Sequence, residues 1–113
     1  MHIDSYSFGH ITVAGREYSA DVIVFPDRVD ASWRRLRGHN LLPKDLEGVI
    51  RFEPDGLIIG CGDSGALKVP AATIAYLEDL GIKVHVARTA NAINLFNSLP
   101  KCKRIVAALH LTC

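Results

Sequence analysis

The sequence predicts an α/β domain in which helices pack on a largely central β-sheet and an N-terminal β-hairpin adds an extra layer. Two observations predict this class. The first 25 residues carry apolar–polar alternation and turn signals, whereas residues 57–109 have the pattern of strands and helices in the order β-α-β-α-β. No linker, internal repeat or low-complexity segment interrupts the 113 residues, so we expect a single domain over residues 1–113.

The N-terminal residues are expected to form β-structure. Apolar and polar residues alternate over residues 6–13, and a turn signal at residues 14–16 leads to a further segment at Tyr18. Residues 22–25 (VIVF) then have the pattern of a buried strand, which Pro26 ends.

The middle of the chain is predicted to be a loop that carries two short elements. A candidate strand lies around residues 33–35. Pro43 and Asp45 suit the first turn of a short helix, because Pro is tolerated there and the helix dipole favours an acidic side chain. The apolar face of that helix comprises Leu46, Val49 and Ile50.

The C-terminal half is predicted to alternate strands with two helices. The first helix starts near Pro70 and ends at Gly81, and Thr89 is expected to N-cap the second. A half-exposed strand at residues 82–86 separates them, and the last strand, residues 104–109, is apolar on both faces and therefore central. The apolar stripes are Ile74, Leu77 and Leu80 in the first helix, and Ala92, Ile93, Phe96 and Leu99 in the second.

Several segments taken together resemble one known family. These segments are residues 22–26, Trp33-Arg34 with Gly38-His39, the loop 59–62, the pair Phe96-Asn97, and in the C-terminal part Thr89, Ala92, Leu99, Arg104 and residues 106–109. They are similar to the small α/β family whose eukaryotic members include the adipogenesis-associated domain protein and an assembly factor of mitochondrial respiratory complex I. The likeness runs over essentially the whole chain, which looks like the compact prokaryotic form. It implies three layers around a mixed sheet, and assembly or regulatory roles with no agreed reaction or cofactor.

Composition argues against two classes of partner. Thirteen basic and twelve acidic residues give a net charge of +1, which favours neither nucleic acid nor an acidic membrane. The longest apolar run is five residues, far below the roughly 20 that a membrane-spanning helix needs. Two basic groups are therefore interpreted as solvated loop side chains: Arg34, Arg35 and Arg37, and Lys101, Lys103 and Arg104.

The cysteines indicate a reducing compartment. Cys61, Cys102 and Cys113 are odd in number and irregular in spacing, which argues against a disulfide framework. Because the N-terminus shows no secretory signal, we expect a cytoplasmic protein. His110 and Cys113 form only half of a metal-binding pattern, and the sequence offers no second half at regular spacing, so no metal site is expected.

The pattern GxGxxG at residues 60–65 is the one local motif with a known chemical use, because glycines bring backbone N–H groups close to an anion. A dinucleotide fingerprint needs a helix directly after the loop and an acid at the end of the next strand. Here the helix starts near Pro70 and the next strand ends at Arg88. The residues GDSG at positions 62–65 also occur in chymotrypsin-like serine proteases, but this chain is too short for the double barrel of those enzymes and is predicted to have another fold. Neither interpretation is favoured, and no cofactor is expected.

A simple anion or small-ligand crevice is the remaining candidate at this loop. Loop amides and two helix starts would converge on the ligand, and Arg34, Arg35 and His39 of the middle loop would close over it. The candidate ligand-binding residues are Gly60, Cys61, Gly62, Asp63, Ser64, Gly65, Lys68, Thr89, Arg34 and His39. The alternative is a tight, close-packed turn beside Trp33. Cys61 is either a thiol of lowered pKa or a small buried side chain, and the second is favoured.

The function that follows is non-catalytic. We expect a protein-interaction or assembly-type domain with a candidate anion crevice, whose partners are a protein, a second copy or a small anion. The alternative is an enzyme acting on a small phosphorylated or carboxylated metabolite, with proton transfer by Asp63, Ser64 or His39. An enzyme predicts a concave pocket into which these side chains point. A scaffold predicts filled space at the loop and an exposed apolar patch elsewhere.

Overall fold

The computed structural model describes residues 1–35, 38–100 and 103–113. Arg37, Lys101 and Cys102, which enter the predictions on basic groups and cysteines, lie outside the described residues. Within these ranges the chain is a mixed α/β domain with two sheets and three α-helices, as predicted. No helix of the described ranges is long and apolar enough to cross a membrane.

The N-terminal sheet is an antiparallel meander of three strands: β1 (Ile3–Ser7), β2 (His10–Val13) and β3 (Arg16–Tyr18). The turn between β2 and β3 places Ala14 and Gly15 in the left-handed region, with φ of 49° and 80°. Such turns match the twist of antiparallel strands. The predicted hairpin layer therefore carries a third strand.

The central sheet has five strands in the order β5-β4-β8-β6-β7. They are β4 (Val22–Val24), β5 (Val29–Asp30), β6 (Gly56–Cys61), β7 (Lys83–Ala87) and β8 (Ile105–His110). Strand β6 runs parallel to β7 and to β8, whereas β4 is antiparallel to β8 and to β5. The sheet is therefore mixed, and β8 is central as its apolar sequence predicts.

The helices lie on the two faces of this sheet. They are α1 (Glu47–Phe52), α2 (Ala71–Asp79) and α3 (Thr89–Ser98), with a 3-10 turn at Pro43–Leu46 before α1. Alternate strand side chains divide the core into two clusters. One contains Leu57, Ile59, Val106 and Ala108 with Val49 of α1 and Leu77 of α2. The other contains Ile58, Ala107 and Leu109 with Ala92 and Phe96 of α3 and Ile11 of the N-terminal sheet.

Three local predictions are wrong. Residues 33–35 form no strand, because Trp33 packs into the core and the Arg35 side chain turns to a buried carboxylate. Thr89 is the first residue of α3, and its hydroxyl bonds to neighbouring strand ends instead of capping the helix. Leu80, expected on the buried face of the first helix, is 49% exposed because α2 turns only Thr73 and Leu77 fully inward.

Candidate functional site

Strand register assembles polar residues at one edge of the central sheet. Cys61, the last residue of β6, lies opposite His110, the last residue of β8. Val22 pairs with Leu109, so Asp21, one residue earlier, lies beside His110. We call this the carboxyl edge, because β6 and β8 both end there. Ligands of open α/β sheets bind beyond such strand ends.

The glycine loop at residues 60–65 is closely packed. A Cβ at Gly60 would lie 2.9 Å from the Thr89 hydroxyl, and one at Gly62 would lie 2.6 Å from the backbone of Cys113. Gly62 also has a φ of 102°, which L side chains rarely adopt. Gly60 therefore lets Thr89 lie directly against the loop, and Gly62 does the same for residues 112 and 113.

Most amides of the loop donate hydrogen bonds within the protein. The Asp63 N–H donates to Thr112 O at 2.7 Å, and the Ala66 N–H donates to Cys113 O at 2.8 Å. The Ser64 hydroxyl donates to the same Cys113 carbonyl at 2.9 Å. The Gly62, Gly65 and Leu67 amides donate to Thr89 Oγ1, Gly62 O and Cys61 O. An anion at this loop would have to displace these bonds.

The buried Thr89 hydroxyl joins three elements. It accepts the Gly62 N–H at 2.9 Å and donates to the carbonyl of His110 at 2.6 Å. The Thr89 N–H in turn donates to Gly62 O at 3.2 Å. The start of α3 is thereby fixed to the glycine loop and to the end of β8.

A charged network occupies the carboxyl edge beside the loop. One Asp21 oxygen lies 2.8 Å from Nη2 of Arg35 and 2.8 Å from Nδ1 of His110. The other accepts the Leu111 N–H at 2.8 Å. The side chains of Arg35 and His110 are each 7% exposed and that of Asp21 is 16% exposed. These three residues form one shielded cluster.

The contacts of Asp21 keep it ionised. Burial by itself raises the pKa of Asp21, but hydrogen bonds from His110, the Leu111 N–H and Arg35 outweigh burial and lower that pKa to about 2. Nδ1 of His110 lies 2.8 Å from the Asp21 carboxylate and 3.1 Å from Nη2 of Arg35, and we assign it a proton because the contact with the carboxylate is the shorter one. This tautomer leaves Nε2 of a neutral His110 as an acceptor.

Arg35 is held on several sides. Its Nε donates to Gly38 O at 3.1 Å, and its guanidinium lies 4.7 Å from the centre of the Trp33 ring. Its Nη1 atom is buried and has no hydrogen-bond partner among the residues that the structure describes. The prediction that Arg35 is a solvated loop side chain is therefore wrong.

His39 and Cys113 lie over the shielded cluster. The ring of His39 meets that of His110 edge to face, with 5.6 Å between centroids, and its Nε2 lies 4.0 Å from Sγ of Cys113. The backbone of His39 is anchored, because its carbonyl accepts the Lys68 N–H at 2.9 Å. His39 and Cys113 are exposed. The edge thus combines a buried charged network with accessible imidazole and thiol groups.

The candidate residues from the sequence are only partly brought together. Gly62, Ser64 and Thr89 contact residues 110–113, and His39 reaches the same place from the middle loop. Arg34 and the side chain of Lys68 are exposed. Cys61 is buried, and burial raises the pKa of its thiol, which is the direction opposite to activation.

Sequence reasoning did not group the members of the shielded cluster. It named Arg35 only as a side chain that is solvated or closes the glycine-loop crevice, and His110 only as half of a metal-binding pattern. Asp21 directly precedes a buried strand, and His110 ends another, so each was visible as a polar residue at a strand end. Only the pairing of β4 with β8 makes them neighbours. Arg35 does not lie at a strand end, and only the folded structure brings it beside Asp21.

The chain matches one family model over residues 3–110, the family described as "Protein of unknown function (DUF498/DUF598)". The chain belongs to this family. The DUF498/DUF598 match spans both sheets and nearly all of the carboxyl edge, from β1 to His110.

Solved structures similar to this member of DUF498/DUF598 cover the whole fold. The conserved hypothetical protein PH1505 from Pyrococcus horikoshii OT3 is 29% identical, with a TM-score of 0.86 and 100% of each chain covered. The protein MT938 is 27% identical, with a TM-score of 0.82, covering 99% of this chain and 98% of that one. A Bordetella pertussis protein described as a Mth938-like domain is 20% identical, with a TM-score of 0.78, and the match covers 97% of this chain and 85% of that one. This last likeness concerns the fold alone.

Proposed function

We propose that this protein is a non-catalytic, assembly-type interaction domain that self-associates through α2 and the neighbouring sheet edge. The observation that carries the proposal is the composition of α2. Six of its nine residues, AATIAYLED, are apolar or aromatic, yet only Thr73 and Leu77 are fully buried. A helix with apolar residues on all sides is normally buried on all sides, either within its own domain or against a partner.

The exposed apolar residues are concentrated on this side of the domain. Among the described residues four large apolar side chains are exposed, and Tyr76, Leu80 and Val86 lie on α2, at its C-cap and on β7. Ala72 and Ala75 are also exposed and permit a close approach of another helix. We call Ala72, Ala75, Tyr76, Leu80 and Val86 the α2–β7 surface. Apolar surface of this kind is typical of protein contacts.

Strand β7 adds an open sheet edge to this surface. It occupies the end of the five-stranded order and, within the described part of the chain, pairs with β6 alone. An edge strand presents unpaired N–H and C=O groups that another strand can use. A two-fold axis beside β7 would bring the same strand and the same helix of a second copy together.

Charge favours a second copy as the occupant. A groove beside Tyr76 is flanked by Lys44 and by Arg51, whose charge Glu47 offsets at 4.0 Å, so Lys44 leaves this flank net positive. The C-terminal end of α2 carries Glu78 and Asp79, both exposed. In an antiparallel pair of α2 helices the acidic end of one helix faces the basic flank and the positive dipole end of the other. The surface is thus complementary to itself.

The carboxyl edge supports the non-catalytic part of this proposal. The glycine-loop amides already donate to protein acceptors, so we do not extend the proposal to an anion crevice there. The resemblance to an adipogenesis-associated protein and a complex I assembly factor supports an assembly role. A reducing, cytoplasmic setting also belongs to the proposal, because Cys61 and Cys113 are both free thiols.

Sedimentation velocity over a range of protein concentrations tests the proposal. We expect a reversible dimer. The double variant Tyr76→Ser, Leu80→Ser should raise its dissociation constant at least about tenfold, as expected for removal of a central aromatic and its packed neighbour. Circular dichroism would establish that the variant is folded.

Phe8→Ser is the matched control, because Phe8 is 59% exposed but lies in the turn between β1 and β2. This variant should dimerise like the parent protein. A monomer at all concentrations would overturn the proposal, and so would an equal loss of dimer in the control.

A further inference from the structure

We propose that His39, His110 and Cys113 form a site for a zinc-type divalent ion at the carboxyl edge. One ligand atom from each residue lies within 4.8 Å of the other two. Imidazole nitrogen and thiolate sulfur are the ligands that zinc prefers. The site is separate from the α2–β7 surface and does not depend on it.

Each ligand is presented by a fixed backbone. The His39 carbonyl accepts the Lys68 N–H, and the adjacent Asn40 forms a parallel bridge with Lys68. His110 is the last residue of the central strand β8. The Cys113 carbonyl accepts bonds from the Ala66 N–H and the Ser64 hydroxyl. The glycine loop, which accommodates residues 112 and 113, thereby determines the position of this thiol.

The imidazole ring of His110 is oriented as expected for a metal ligand. Its Nδ1 faces Asp21 at 2.8 Å, so we take Nε2 as the coordinating atom, and a bound ion would displace the Thr112 hydroxyl that now lies 3.4 Å from it. A histidine that binds metal usually donates its other ring N–H to a carboxylate or carbonyl, which fixes the ring and makes the free nitrogen more basic. Asp21 is therefore a positioning residue for this site.

The distances require a contraction, because the three ligand atoms are spread over up to 4.8 Å. Around a tetrahedral zinc ion with Zn–N of about 2.0 Å and Zn–S of about 2.3 Å, two nitrogens and one sulfur lie about 3.3–3.5 Å apart. His39 Nε2 and Cys113 Sγ are 4.0 Å apart. Both side chains are exposed, so rotation of their side chains can close the gap while the buried His110 stays in place.

The charges around the site suit a cation. Asp21 offsets the adjacent Arg35 guanidinium through the 2.8 Å ion pair. Binding deprotonates the Cys113 thiol, so the ligand set contributes one negative charge. Three protein ligands leave a fourth position for water or another small donor.

This proposal departs from the sequence-based expectation of no metal site. That expectation relied on local spacing, which offers only His110 and Cys113. The third ligand, His39, comes from the middle loop and is brought near by its backbone contact with Lys68.

Competition between the reduced protein and a chromophoric chelator for Zn²⁺ measures the affinity and stoichiometry. We expect one ion per chain. His39→Ala and Cys113→Ser should each raise the dissociation constant at least tenfold, and both positions are exposed, so both variants should fold. His10→Ala is the matched control, because His10 is an exposed histidine near Glu17 in the N-terminal sheet. It should leave the affinity unchanged.

Co²⁺ in place of Zn²⁺ reports on the ligands directly. The parent protein and Cys61→Ala should show a thiolate-to-cobalt absorption band, and Cys113→Ser should lose it. Asp21→Asn should keep one ion per chain but weaken binding about 10–100-fold, as is usual for a carboxylate behind a histidine ligand. Equal affinity in the parent, His39→Ala and Cys113→Ser proteins would overturn the proposal, as would a cobalt band that persists in Cys113→Ser.

Discussion

At the scale of single residues, Gly62 gives a structural reason for the motif GxGxxG in a chain whose loop amides donate hydrogen bonds to acceptors of the same protein. Its φ of 102° favours glycine, and its Cα faces the backbone of residues 112 and 113 at a distance that leaves no space for a side chain. The sequence identified the position of a close approach correctly. It did not identify what approaches, because the approaching group is this chain's own backbone, which only the folded register brings there.

Gly62→Ala should destabilise the protein by more than about 2 kcal/mol, because backbone strain and a steric clash combine. Urea unfolding followed by circular dichroism measures the loss. Gly15→Ala is the matched control, since Gly15 also has a positive φ, 80°, but no atom lies within 4 Å of an added Cβ.

The control isolates the cost of backbone strain, expected to be about 1 kcal/mol. If both variants lose the same stability, the contact between the glycine loop and residues 112 and 113 contributes nothing measurable.

At the scale of elements, Asn97 connects α3 to the N-terminal sheet. Its Oδ1 accepts the Ile3 N–H at 3.0 Å and its Nδ2 donates to the Ile3 carbonyl at 2.8 Å. The side-chain amide thus pairs with β1 as a neighbouring strand would. The sequence marked Asn97 only as part of a family resemblance, and this pairing is a physical reason for an asparagine at that position.

Asn97→Ala should destabilise the protein by about 1–3 kcal/mol, because both polar groups of Ile3 lose their side-chain partner. Asn97→Asp should fall between the parent and the alanine variant in urea unfolding, since it keeps an acceptor for the Ile3 N–H but has no donor for the carbonyl. Ser98→Ala, the next residue on the exposed side, should change stability by less than about 0.5 kcal/mol. A loss in Ser98→Ala as large as that in Asn97→Ala would contradict this account.

Elements with a periodic apolar pattern could be predicted from the sequence, whereas those set by side-chain contacts could not. The central position of β8 followed from its apolar residues on both faces. Residues 33–35 looked like a strand, but Trp33 and Arg35 are placed by the core and by Asp21 instead. Leu80 fits the helical stripe of α2 by spacing, yet it is the C-cap residue, beyond the last turn of the helix, and it is 49% exposed.

At the scale of the whole molecule, the central sheet joins the two core clusters into one body. Neighbouring residues of β8 point alternately into them, Val106 and Ala108 into one and Ala107 and Leu109 into the other. Because the same strands contribute to both clusters, disrupting the sheet would expose both of them. We therefore propose that the chain unfolds as one cooperative domain.

The single tryptophan allows a direct test. Trp33 reports on the cluster beneath α1 and α2, whereas Tyr6 and Tyr18 pack against the cluster beneath α3. Trp33 fluorescence, near-ultraviolet tyrosine signals and far-ultraviolet circular dichroism should give coincident urea transitions. An earlier transition in the tyrosine signals would mean that the N-terminal sheet unfolds on its own.

The Thr89 hydroxyl limits which sequences this fold can accept. At the start of α3 this one oxygen donates to the His110 carbonyl at the end of β8 and accepts the Gly62 N–H of the glycine loop. Thr89 is fully buried, and a Cβ at Gly60 would lie 2.9 Å from its hydroxyl. Valine has the right shape but neither donor nor acceptor, and alanine leaves both partners unsatisfied. Position 89 should therefore tolerate serine and little else over evolutionary time, which makes it a test residue for recognising distant members of the family.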